Sequence, residues 1–214
     1  MRRTFSALAP AILAAHASAG VVTYEFTGEL YRADFLTGVF VGLEPGDAFT
    51  VTINVDAMLA PMTDEPTRRR WDDAVILGFV VEFDDRTLIY RDPNEAEGVD
   101  GEVVIEDNFD GEGTLRDSFF ARARRDFGNA WIDYGSEMFD PPGGMIDSIS
   151  GLDLPTEADL DPARWEHAEL RMGNNLSIQG TVFLARIIPA PSAALALGMG
   201  APLVMRRRRR PLGI

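Results

Sequence analysis

The chain has 214 residues, enough for one domain with a substantial core, and its 20 basic residues are all arginine against 34 Asp and Glu. It has no cysteine, which excludes a disulfide framework, a thiolate metal site, a cysteine nucleophile and a lipidated N-terminal cysteine. The net charge of −14 conceals an asymmetry: residues 20–188 carry 13 arginines against 34 acids, a net of −21, and such a field repels nucleic acid and anionic lipid.

The opening MRRTFSALAPAILAAHASAG has Arg2 and Arg3, then an apolar run to Ala15, then Ala17-Ser18-Ala19. A positive start, a short apolar centre and an A-x-A site read as a signal peptide over residues 1–19, cleaved after Ala19 so that Gly20 becomes the N-terminus. The apolar part is too short to span a bilayer core of ~30 Å. Such a signal delivers a chain to the Sec translocon and to signal peptidase. RRTF touches on the twin-arginine pattern but lacks the preceding serine and the following leucine and lysine. His16 leaves with this segment, so His167 is the single imidazole of the mature chain, too few for a multi-histidine zinc or iron site.

From residue 20 to 188 the dominant signal is period two. Val22, Tyr24, Phe26 and Leu30 alternate with Thr23, Glu25, Thr27 and Glu29. Phe49, Val51, Ile53 and Val55 form a second face, and Val75, Leu77, Phe79, Val81 and Phe83 a third. Arg68-Arg69-Arg70 reads as a solvated loop between them. Further strands are predicted over 87–91, 102–106, 117–124 and 131–134. Turn signals stand at EPGD (44–47), DPN (92–94), DGEG (110–113) and DPPGG (140–144). Residues 152–162 form a long acidic connection. Asp161 before Pro162 predicts one short helical turn over 161–166, then a strand over 167–172. Leu176, Ile178, Val182 and Leu184 give the last strand one apolar face. Many short alternating strands without long amphipathic helices predict an all-β fold, an antiparallel β-sandwich or jelly-roll-like body. Its expected core includes Phe26, Phe49, Val51, Phe79, Val81 and Leu184.

The body offers little recognisable chemistry. No Gly-x-Ser-x-Gly elbow is present, and His167 reads as a surface or half-buried side chain rather than a catalytic base. With 34 acids, a pair of glycosidase carboxylates can be imagined almost anywhere, so the pattern selects none. The densest oxygen-rich segment is EDNFDGEGTLRD (106–117), where Asp107, Asp110 and Glu112 are candidate calcium ligands. It is no EF-hand, because Phe119 stands where the closing glutamate belongs; a hydrophilic hairpin turn is the plainer reading. Trp71, Trp131 and Trp165 are too few to argue a sugar-stacking platform over core packing. No cofactor is implied, and the body reads as non-enzymatic.

The end of the chain is different. Ile187 to Met205 is a run of 19 residues without a charge. As a helix it would span roughly 28 Å, about one bilayer core. Arg206, Arg207, Arg208, Arg209 and Arg210 follow as a membrane stop. Gly198, Gly200 and Pro202 make the run a weak, temporary anchor. Pro189-Ala190-Pro191, the apolar run and the arginine cluster together resemble the PEP-CTERM sorting signal, with Ala190 in place of the family's glutamate. The resemblance covers residues 189–214; the body resembles, more loosely, the bodies of the same family, mostly uncharacterised β-sandwiches. It implies processing by exosortase, a membrane cysteine transpeptidase, after transient insertion in the inner membrane. The expectation is an exported cell-surface or extracellular-matrix protein that meets exopolysaccharide. The alternative is a secreted carbohydrate- or calcium-binding module, and less so an enzyme of unrecognised class.

Overall fold

Strict alternation lets each strand bury one face and wet the other, and the body uses this throughout. The computed structural model describes residues 20–34, 36–72, 74–92, 100–111, 114–138, 148–149, 151–173 and 177–188; for 109–111, 114–115 and 137–138 only the backbone is described. The strands are β1 (Val21–Ala33), β2 (Ala48–Asp56), β3 (Thr63–Glu65), β4 (Arg68–Asp72), β5 (Ile76–Phe83) and β6 (Thr87–Arg91). They continue as β7 (Gly101–Gly111), β8 (Thr114–Arg125), β9 (Gly128–Met138), β10 (His167–Met172) and β11 (Ile178–Ile188). The candidate signal residues Ala17 and Ala19, the tail residues Pro189, Ala190, Pro191 and Arg206–Arg210, and Leu176 and Glu112 lie outside the described residues.

The strands expected as a two-sheet sandwich are hydrogen-bonded into one antiparallel sheet of 11 strands, in the order β3-β4-β7-β8-β9-β10-β11-β1-β2-β5-β6. The sheet curls until its concave face packs against itself. Strands β1 and β8 are separated in the sheet by β9, β10 and β11, yet Tyr24 and Phe119 have ring centroids 5.9 Å apart, and Phe26 and Phe119 6.4 Å. Toward the far edge, Tyr90 of β6 meets Phe127, in the β8–β9 turn, at 4.9 Å. Arg125 Nη1 donates to the Ile89 carbonyl across the same gap at 3.3 Å. The result is a half-barrel with a continuous core that includes Phe26, Phe49, Val51, Ile53, Phe79, Val81, Phe119 and Ile132.

Two expectations about side-chain facing fail for one physical reason. A β-bulge adds one residue and flips the alternation beyond it. In β5 the register passes from Asn54↔Gly78 to Val55↔Ile76, so Leu77 is skipped; Ile76 is fully buried and Leu77 only half-buried. In β11 it passes from Gly28↔Val182 to Thr27↔Leu184, skipping Phe183. Leu184, expected in the core, is therefore 49% exposed, and Ala185 takes the inward position. Arg68–Arg70, expected as a solvated loop, is part of strand β4, held by antiparallel pairing to β7.

Asp161 caps a short 3₁₀ turn over Pro162–Arg164 by accepting from the Ala163 amide at 3.1 Å, and β10 follows at His167 as expected. The acidic connection before it packs over one mouth of the half-barrel. Leu160 is fully buried, Trp165 stands edge-on to Tyr134 at 5.5 Å, and the Tyr24 hydroxyl donates to the Pro155 carbonyl at 3.1 Å. The Tyr90 and Tyr134 hydroxyls are buried with no partner among the described residues, and burial pushes both phenol pKa values up. No helix among the described residues is long and apolar enough to cross a membrane.

Candidate functional site

The outer faces of β4, β7, β8, β9 and β10 form a concavity of about 450 Å³, and the pairing register dictates what lines it. Three rows of outward side chains cross the strands. The first runs Arg68, Glu106, Ser118, Gly135, His167. The second runs Arg70, Val104, Phe120, Asp133, Glu169, and the third Asp72, Glu102, Arg122, Trp131, Arg171. Gly135 makes the dip. A Cβ there would lie 2.3 Å from His167 Cε1, so only glycine lets the imidazole lie down over β9.

The charges of the groove are paired. Glu106 is 3% exposed and receives Arg116 Nε at 2.8 Å, Arg68 Nε at 3.3 Å and the Ser118 hydroxyl at 2.8 Å. A carboxylate buried this deeply needs such partners, because isolated burial of a charge is costly. Glu102 lies between Arg70 at 2.9 Å and Arg122 at 3.0 Å. Asp133 faces Arg171 Nη2 at 3.4 Å and His167 Nε2 at 3.6 Å. The latter distance is long for a hydrogen bond and suits an ion pair. The Asp133 carboxylate beside it holds the His167 pKa above its ordinary value, while burial works against it.

Behind this wall Asp117 points inward and is fully buried. Its carboxylate accepts backbone N–H groups from Asn108 at 2.9 Å, Ser148 at 2.9 Å and Ile149 at 3.4 Å. Burial pushes its pKa up; the three N–H groups pull the other way. Asn108 sits at φ +52° in the β7 bulge between Glu106 and Phe109, a conformation that asparagine tolerates better than most side chains. Ser148 Oγ donates to the Arg164 carbonyl at 2.8 Å and lies 3.1 Å from Ser136 Oγ. Asp117 is thus a buried staple between the bulge and the 148–149 segment.

Of the sequence-derived candidates, His167 lies in the groove, and of the three calcium candidates only Asp107 has a described side chain. Asp107 uses Oδ1 to accept from Asn108 Nδ2 at 2.7 Å and Oδ2 to accept from the Gly151 amide at 2.8 Å. The side chain of Asp110 lies outside the described residues, as does Glu112. Among the described residues no three His, Cys, Asp or Glu side chains stand grouped to hold a metal ion. Trp71 and Trp165 are buried, while Trp131 is half-buried on the outer face, 6.5 Å from Phe120.

Glu106, Ser118, Phe120, Asp133 and Arg171 carry no local motif. Their signal was the outward half of each alternation, polar except for Phe120, and it becomes a site once four consecutive antiparallel pairings align it. Comparison of the chain with protein-family models, curated proteins and solved structures finds no match.

Proposed function

We propose that the body is a binding module whose outer-face groove takes a hydroxyl-rich carbohydrate chain. One observation carries the reading: paired guanidinium and carboxylate groups surround an aromatic floor at Phe120, with Trp131 beside it. Sugars present alternating hydroxyls and flat C–H faces. Fixed donors and acceptors match the first, and half-buried rings match the second. The groove crosses five strands and is open, which suits a segment of a polymer better than a single sugar. Its carboxylates are engaged by arginines, and Asp117 is engaged by backbone N–H groups, so the arrangement favours binding over turnover.

The test is affinity electrophoresis through gels cast with neutral and with uronate-containing polysaccharides. Retardation by at least one polymer is expected, weakened about tenfold by Phe120→Ala, a loss of ~1.4 kcal/mol. Equal mobility of wild type and Phe120→Ala in every gel would overturn the reading. Export and exosortase sorting through residues 1–19 and 189–214 remain part of the same proposal, and they rest on the two terminal sequences alone. Deleting residues 189–214 should release the body to the medium, and persistence of Arg206–Arg210 on surface protein would replace sorting by a plain anchor.

A further inference from the structure

The loop leaving β2 exposes an uncharged hexapeptide, Ala57-Met58-Leu59-Ala60-Pro61-Met62. Met58 is 78% and Met62 72% exposed, and Leu59 is exposed as well. The loop is nevertheless built. Met58 N donates to Asp56 Oδ1 at 2.9 Å, Trp71 Nε1 to the Leu59 carbonyl at 3.0 Å, and Met62 N to the Arg70 carbonyl at 2.8 Å. Its backbone is held while its apolar side chains point to solvent, the reverse of what a loop needs for solubility. Large exposed apolar groups held together on a surface mark a contact site.

The fold says what lies beside it. Ala57 N donates to the Gly20 carbonyl at 2.7 Å, so the loop touches the start of β1. Strand β11 ends on the other side of β1, with Thr23 opposite Ile188. At ~4.8 Å per strand, Ile188 and Asn54 stand about 10 Å apart across Thr23, and the loop begins three residues beyond Asn54. The uncharged run Ile187–Met205 begins at that point. Ile187 and Ile188 are paired within β11, so residues 189–205 of that run and a preformed apolar loop leave the body at one end. The opposite end, with the 34–47 connection, the Phe127 turn and Gly173, has no such run beside it.

We propose that Met58, Leu59 and Met62 dock into the interfacial layer of a lipid bilayer and orient the body on the membrane in which its tail is seated. This rests on the reading of residues 189–205, which follow β11, as a membrane segment. The lipid it fits is zwitterionic. The acidic connection shares this end, since Glu157 accepts from the Ile187 amide and Asp153 is almost fully exposed, and these carboxylates oppose an anionic surface.

The chain has no cysteine, so one labelling site can be introduced at a time. The full chain is reconstituted in phosphatidylcholine vesicles with a polarity-sensitive fluorophore at Met58→Cys, at Met62→Cys, or at Val41→Cys, an exposed apolar position at the opposite end. The expected result is a blue-shifted emission at the two loop positions, quenched by headgroup-proximal nitroxide lipid, with Val41→Cys unquenched. Adding phosphatidylserine to the vesicles should reduce the quenching. A vesicle-bound chain whose Met58 label is as water-exposed and unquenched as the Val41 label overturns the docking and leaves the membrane segment standing. A chain that does not associate with vesicles overturns both. A blue shift that lipid nitroxide does not quench and that disappears on dilution assigns the loop to a second copy and overturns the proposal.

Discussion

The Asp117 carboxylate on β8 and the Ser148 amide are 31 residues apart in the chain and 2.9 Å apart in space, both fully buried. Through this bond and its partners at Asn108 and Ile149, one side chain fixes a strand bulge and the segment that leads into the acidic connection. Asp117→Ala leaves three backbone N–H groups without their acceptor, and each buried orphan costs about 1–3 kcal/mol. A loss of about 3 kcal/mol is expected in urea unfolding. Hydrogen exchange at Ser148 and Asn108 should accelerate far more than at Ile132; uniform acceleration would deny the staple.

A second expectation concerns pH. Asp133 holds the folded-state pKa of His167 above its ordinary ~6.5. The folded protein therefore binds this proton more tightly than the unfolded chain. The contribution is fully present below about pH 6.5 and is lost as pH rises through the folded-state value. His167→Gln should cost stability at about pH 6 and cost less at about pH 9. A urea-midpoint difference between the two proteins that is flat across this range would contradict the pairing.

A third follows from the glycines under Phe49. A Cβ at Gly28 would lie 2.0 Å from the Thr181 carbonyl oxygen and 2.5 Å from Phe49 Cζ; at Gly180 it would lie 2.5 Å from Phe49 Cε1. Gly28→Ala should destabilise by about 3 kcal/mol through overpacking. Leu184→Ala, on the wet side of the bulge, should stay within about 0.5 kcal/mol. Thermal melts of the two variants distinguish this facing from one with Leu184 inside.

The alternation in the sequence was sufficient for the strands and most of the core, because Phe26, Phe49, Val51, Phe79 and Val81 lie in unbroken runs of period two. It misplaced Leu77 and Leu184 because a bulge leaves no mark in composition. It misjudged Arg68–Arg70 because a strand whose outward face is wholly charged, Arg68, Arg70 and Asp72, looks like a solvated loop until its partners, Glu102 and Glu106, are known. The groove was invisible for a related reason. Glu106 and His167 become neighbours in one row only through the intermediate pairings of β8 and β9.

A fourth expectation addresses the net of −21 in the body. Self-repulsion works against the compact state, and salt relieves it as the Debye length falls from ~10 Å at 0.1 M to about 3 Å at 1 M. Melting temperature should rise gradually with sodium chloride, and millimolar calcium should do no more than magnesium at equal ionic strength. A saturable, calcium-specific rise that Asp107→Ala abolishes would instead establish a site in the 106–117 segment.

Because β1 is hydrogen-bonded to β11, the first strand of the body waits for the last. Until Ile178–Ile188 has been supplied, one edge of β1 and the aromatic groups of Tyr24 and Phe26 lack their cover. Pairings between distant chain segments close late and slowly. A chain threaded from its N-terminus would pass through a long-lived open sheet with a sticky edge, the species most prone to aggregate. Completion of the body and arrival of the apolar run after it would then be one event in time. A truncation within β11 should yield insoluble protein, whereas one just past Ile188 should yield a folded body.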